Sequence, residues 1–141
     1  GISNCYAYQI AKANAYARSK GCEQFVSIQS HYNLIMREDE RELLPFCAYE
    51  NIGMAPYSSL ASGCLSRRPG ECSKRLELYN SKSSGQDQGI IDHVNELSQK
   101  KNVNVSMSEI ALAWLRYKTP FPKIGATKKY HIDTFTDFTA A

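Results

Sequence analysis

"GISNCYAYQIAKANAYARSKGCEQFVSIQ", residues 1–29, decides how this chain folds. "GIS" is small and apolar, a strand that is already ending. From Tyr8 to Lys20, small and apolar residues recur at helical spacing, at Ile10, Ala13 and Ala17. Gly21 stands where a helix-terminating glycine belongs. "QFVSIQ", Gln24 to Gln29, is short and partly β-branched, which favours a buried strand. The unit is strand, helix, strand, and the helical crossover makes its two strands parallel.

The alternation continues along the chain. "SHYNLIMREDERELLPFCAYEN" predicts a second helix, with Glu38, Arg41 and Glu42 on its wet face. Leu43, Leu44, Phe46 and Cys47 form its dry face, and Pro45 kinks it or sits near its end. "IGMAPY", residues 52–57, is a third short apolar strand. Residues 64–89 form a long stretch rich in Ser, Gly and charge, and loops of that length usually serve a function or move. "IIDHVNELSQKK", from Ile90, is amphipathic. "SMSEIALAWLRYK" is the clearest helix, with Ser106 and Glu109 placed as a capping box. "FPKIG" predicts a last strand, and "ATKKYHIDTFTDF" opens a last helix. Uniformly apolar strands suit a sheet buried on both faces. Two α/β architectures fit: a small doubly wound sheet, or four βα units of a (β/α)8 barrel. Both bind ligands at the C-terminal ends of their strands.

Composition narrows the function. With 141 residues, 43% hydrophobic and 22% charged, the chain is an ordinary globular domain with a modest core. No apolar run approaches the roughly 18–20 residues that cross a bilayer, and no signal-peptide pattern occurs, so no membrane insertion is expected. A net charge of +3 is too small to point to nucleic acid. The cysteines are Cys5, Cys22, Cys47, Cys64 and Cys72, an odd set without a Cys-x-x-Cys pair. They read as free thiols in a reducing cytoplasm, not as a disulfide framework or a metal site. Cys5 or Cys64 as a nucleophile lacks a neighbouring histidine.

The expected strand ends carry Ser3 and Asn4, then Gln29, then Tyr57 and Ser58, then Gly125, Ala126, Thr127 and Lys128. None is an evident catalytic acid or base. The set suits a planar, hydrogen-bonding ligand: Ser3, Asn4 and Gln29 match a carboxamide, and Tyr57 can stack on a ring. "GATKK" has the parts of an anion site: a glycine for close approach, a helix N-terminus and the Lys128 charge. Arg67 and Arg68 could close over a phosphate. Each residue alone also has an ordinary reading. Asn4 would be a helix N-cap, Gln29 a satisfied strand-end amide, Tyr57 core, and Lys128 and Lys129 a solvated helix start. Placed at successive strand ends, they carry more weight together.

"GISN", "FVSIQSHYNLIMREDERELLPFC", "IGMAPYSSLASGCL", "SEIALAWL" and "PKIGATKKYHID" together resemble the second half of an aldo-keto reductase, from residue 1 to about residue 133. The nearest branch by this resemblance holds the voltage-gated potassium channel β-subunits and related bacterial reductases. The resemblance implies the C-terminal half of a (β/α)8 barrel. Its strands five to eight would be residues 1–4, 25–29, 52–57 and 122–125, with residues 64–89 as a loop within the half-barrel. It also implies NADP as cofactor. Ser3, Asn4 and Gln29 would hold the nicotinamide carboxamide, and Tyr57 would stack on its ring. Ser58, Leu60, Ser62 and Gly63 would line the pyrophosphate, under a loop carrying Arg68. Gly125, Thr127 and Lys128 would bind the 2′-phosphate, with His131 beside them at a position that is often Gln or Arg. Ser59 stands where the family usually has proline, which would loosen that turn. Thr134 and Phe135 replace a Glu-Asn pair that typically contacts adenine.

The family's Asp, Tyr, Lys and His tetrad belongs to strands one to four. The expectation is therefore a cofactor-binding half without that tetrad, acting on a small carbonyl substrate once an N-terminal half completes it. The alternative is a non-catalytic NADP-binding module of regulation or assembly. His31 reads as structural in either case. Half a barrel leaves open strand edges and one uncovered face, expected to pair with a second half-barrel or another copy.

Overall fold

The structure is a computed structural model, and it describes residues 1–68, 87–100, 105–126, 129 and 132. Three short parallel strands, β1 (Ile2–Ser3), β2 (Ser27–Gln29) and β3 (Gly53–Met54), lie side by side in sequence order. Ile2 pairs with Ile28, Ser3 with Gln29, Ser27 with Gly53, and Ile28 with Met54. A doubly wound sheet reverses its strand order at a switch point, whereas consecutive order is that of a barrel wall. Helix α1 (Ala7–Ser19) joins β1 to β2, and α2 (Leu43–Tyr49) precedes β3. Helices α3 (Asp87–Ser98) and α4 (Met107–Lys118) follow. This is the α/β arrangement of part of a (β/α) barrel.

Local chemistry explains the element boundaries. Helix α1 ends with Gly21 at φ 65°, the left-handed conformation that glycine adopts without strain. Its N-cap is Tyr6, whose backbone N–H donates to Gln9 Oε1 at 2.9 Å, so Asn4 is released from capping. Helix α4 opens on the expected box: the Glu109 N–H donates to Ser106 Oγ, and the Ser106 N–H donates to Glu109 Oε2 at 2.6 Å. Helix α3 includes Asp87, Gln88 and Gly89, ahead of Ile90.

Three expectations change. The second helix does not begin near Ser30. Residues 30–37 form a loop, a short 3-10 turn covers Glu38–Glu40, and α2 starts at Leu43. Pro45 thereby falls in the first helical turn, where its missing N–H costs nothing. "FPKIG" forms no strand: its backbone-to-backbone tie to the rest of the chain is the bond from the Lys123 N–H to Pro56 O at 2.8 Å. Pro120 and Pro122 cannot donate to a ladder, which suits an irregular segment. Of the two readings of the sheet, burial on both faces gives way to the one uncovered face expected of half a barrel. Ile28 and Met54 are buried and pack, with Ile2, against Ala7, Ile10, Leu43, Cys47 and Leu115. Alternate residues point the other way, and there Ser3, Ser27, Gln29 and Lys123 line an open cleft. The apolar runs overstated the strands, since Val26, just before β2, is 70% exposed.

Helix α4 braces the molecule. Its Leu115 and Trp114 join the cluster beneath the sheet. Its Met107 and Ala111 join a second cluster with Ala61, Cys64, Leu65 and Val94. Tyr32, fully buried, lies 5.5 Å from the Trp114 ring and donates its hydroxyl to Glu40 Oε1 at 2.7 Å. Arg37 pairs with Glu40 at 2.7 Å and rests 5.2 Å from the Trp114 ring centre. Hydrogen bonds from Arg37 first, then Tyr32, hold the Glu40 carboxyl below the usual range against the opposing effect of burial.

Asn14, 7% exposed, imitates a strand neighbour for the chain entering β2. Its Nδ2 donates to Phe25 O at 3.0 Å, and its Oδ1 accepts from the Phe25 N–H at 2.8 Å. Asn14→Ala should cost about 2–3 kcal/mol in urea unfolding, because both Phe25 backbone groups lose their partners.

Candidate functional site

The ends of the three strands meet through a chain of polar side chains. Asn4 takes φ 51°, a left-handed conformation that asparagine tolerates. Its N–H donates to Gln29 O at 3.0 Å, extending the β1–β2 ladder by one bond. The Ser3 hydroxyl also donates to Gln29 O, at 3.1 Å, and Asn4 Nδ2 donates to Ser3 Oγ at 3.1 Å. The Tyr57 hydroxyl donates to Asn4 Oδ1 at 3.3 Å. Ser3, Asn4, Gln29 and Tyr57 therefore come together as the sequence predicts, and Asn4 is no N-cap. Asn4 retains a second amide proton, and Gln29 its amide N–H groups, as donors.

Tyr57 is held from behind. It forms a parallel bridge with His31, and the two rings stack at 5.1 Å with 16° between planes. Burial pulls the His31 imidazole below its ordinary value, with nearby Asp39 opposing it. His31 Nε2 and Asp39 Oδ2 are both buried without a hydrogen-bond partner.

After Tyr57 the backbone turns sharply. Ser58, Ala61, Ser62 and Gly63 all have positive φ, at 56°, 47°, 57° and 105°. The Ala61 N–H donates to Ser58 O at 2.8 Å, and the Gly63 N–H donates to Leu60 O at 2.9 Å. Leu60 anchors the turn against the second apolar cluster. Glycine suits position 63 because φ 105° strains any other residue, and the Arg67 guanidinium closes over the space where a Cβ would lie. One arginine of the expected pair thus folds back onto the turn, while Arg68 is exposed. Ser59 does not loosen this turn. It is 4% exposed, and its hydroxyl donates to Lys123 O at 2.6 Å, tying the turn to the segment after α4.

Two further residues organise the site without having stood out in the sequence. Asn33, 0% exposed, accepts at Oδ1 from the Ile35 and Met36 N–H groups and donates through Nδ2 to Ser58 O at 3.0 Å. Lys123 donates from Nζ to Gln29 Oε1. A lone lysine inside the apolar run "PFPKIG" was the available signal for the second; "SHYN" gave little for the first.

Gly125 is exposed, and an added Cβ would meet nothing within 4 Å. Thr127, Lys128 and His131 lie outside the described residues, as do Thr134, Phe135, Cys72 and residues 69–86 of the long loop. Cys64 is 3% exposed, and burial raises its thiol pKa, which makes it a poor nucleophile. Among the described residues no three metal-ligating side chains converge, and no helix is long and apolar enough to cross a membrane.

Asn33→Ala should lower unfolding free energy by about 3 kcal/mol, because two loop amides and the Ser58 carbonyl lose a buried partner together. Thermal melts of the variant and the parent chain measure this directly.

The chain matches the aldo/keto reductase family over residues 1–139. It is 38% identical to an aldo-keto reductase of Fusarium vanettenii, a match covering 94% of this chain and 37% of that protein. It is 34% identical to the versiconal hemiacetal acetate reductase of Aspergillus parasiticus, over 94% of this chain and 41% of that protein. Against norsolorinic acid reductase B of Dothistroma septosporum the figures are 33%, 94% and 34%. The chain thus spans about a third to two fifths of the length of these relatives. They are fungal reductases and not channel subunits, so the narrower resemblance to the channel β-subunit branch is not supported. The chain belongs to the aldo/keto reductase family.

Proposed function

We propose that this member of the family is the cofactor-binding part of an NADP-dependent carbonyl reductase. The observation that carries the reading is the convergence of Ser3, Asn4, Gln29 and Tyr57 at three adjacent strand ends. These side chains fit a nicotinamide. Asn4 Nδ2 and Gln29 Nε2 are amide donors for a carboxamide oxygen, and the Tyr57 ring is an aromatic surface whose other side is backed by His31. When bound, the nicotinamide supplies hydride for reduction of a carbonyl.

This chain's own residues do three things in that reading. Asn4 and Gln29 orient the carboxamide and so set which ring face is presented. Tyr57, braced by His31 and by Asn4 Oδ1, limits the ring to one plane. The turn at residues 58–63 offers backbone amides and hydroxyls to the pyrophosphate, its shape held by Asn33 and Ser59. Gly125, Thr127, Lys128 and His131 complete the site at the 2′-phosphate, and Arg68 stands in the loop over the pyrophosphate, by the family resemblance. The proton donor for carbonyl reduction belongs, by the same resemblance, to strands outside this chain.

Two measurements test the proposal. The purified chain should bind NADPH in a fluorescence titration yet turn over carbonyl substrates no faster than a buffer blank; absence of nucleotide binding would sink the reading. Lys128→Glu should weaken NADPH by about tenfold or more while changing NADH little, since the new carboxylate repels the 2′-phosphate. Equal weakening of both nucleotides would move the phosphate site elsewhere.

A further inference from the structure

Lys123 interrupts an apolar run, and its backbone is fixed from both sides. Its N–H donates to Pro56 O, and its carbonyl accepts from the buried Ser59 hydroxyl. The backbone is thus placed without help from the side chain, which is left to reach the cleft. There it shares the lining with Ser3, Ser27 and Ala55 and donates to Gln29 Oε1. An amide whose oxygen is engaged by an ammonium has a fixed orientation, and its nitrogen must face away.

We propose that Lys123 is a positioning residue that presents Gln29 Nε2–H to the nicotinamide carboxamide, and whose charge makes the site favour reduced over oxidised cofactor. This rests on the cofactor reading above. The charge argument follows from the two redox forms: the oxidised nicotinamide ring is cationic, and the reduced ring is neutral. An ammonium one amide group away repels the first and is nearly indifferent to the second. In a half-wet cleft that repulsion is worth on the order of tenfold in relative affinity.

The experiment titrates NADPH and NADP+ into the full chain, into Lys123→Met and into Lys123→Arg. It also records the Gln29 side-chain amide by NMR without nucleotide. The parent chain should prefer NADPH. Lys123→Met should narrow that preference by on the order of tenfold, mainly by tightening NADP+, and Lys123→Arg should retain it. The Gln29 amide resonances should move in the methionine variant before any nucleotide is added. An unchanged NADP+/NADPH ratio with binding intact overturns this inference alone, as does equal weakening of both nucleotides or an unmoved Gln29 resonance. Failure of the parent chain to bind either nucleotide overturns the cofactor reading and this inference together. Should the methionine variant not fold, Lys123→Gln, polar and uncharged, takes its place with the same expected ratio.

Discussion

Ile28 lies between Ile2 and Met54 in three parallel strands and exposes no surface. Side chains alternate along a strand, so this one register decides both faces at once. With Ile28 against the helices, Ser3, Ser27 and Gln29 must face the cleft. The same parity carries through Gly53 and Ala55 to Tyr57. A slip of one residue in β1 would bury Ser3 and expose Ile2, and the same slip in β3 would turn Met54 out of the core. The apolar packing beneath the sheet thereby places the polar groups above it.

Register alone does not hold the loops at the strand ends, and that work falls to buried amides. Asn14 fixes the entry to β2 and Asn33 fixes the exit, each using both ends of its side chain. Tyr32, Glu40, Arg37 and Trp114 then lock the same loop to α4. These ties outweigh the surface pairs. The bridge between Arg41 and Glu38 joins side chains 79% and 72% exposed and contributes little. The site is consequently built from loops, but loops whose backbone groups are satisfied internally.

Much of this was legible in the sequence, for reasons that differ by residue. Helices α1 and α4 declared themselves because their periodicity, terminal glycine and capping box are local signals. Ser3, Asn4, Gln29 and Tyr57 were legible because a βα fold puts strand ends at one place. The second helix was misread because "SHYNLIMRED" has helical composition, while Asn33 takes its own neighbours' amides and prevents the helix from starting there. Strand length was misread because an apolar run does not say where pairing stops. Ser59 looked like a weakened turn because its partner, Lys123 O, lies 64 residues away. A bond of that span leaves no trace in local pattern.

The spacing of the pairings has a consequence for how the chain finds its structure. Ser3 meets Gln29 across 26 residues, and the same interval separates Ile2 from Ile28, Ser27 from Gly53, and His31 from Tyr57. Each strand is thus reached by closing a loop of equal length, so each addition carries a similar entropic cost. Assembly can then proceed by accretion, one βα step laid against the last. Such a chain resembles a staircase with even treads more than a knot tied in one movement. The strand pairings share this moderate separation, whereas the ties from Lys123 to Ser59 and Gln29 span 64 and 94 residues and are made once the strands are in place.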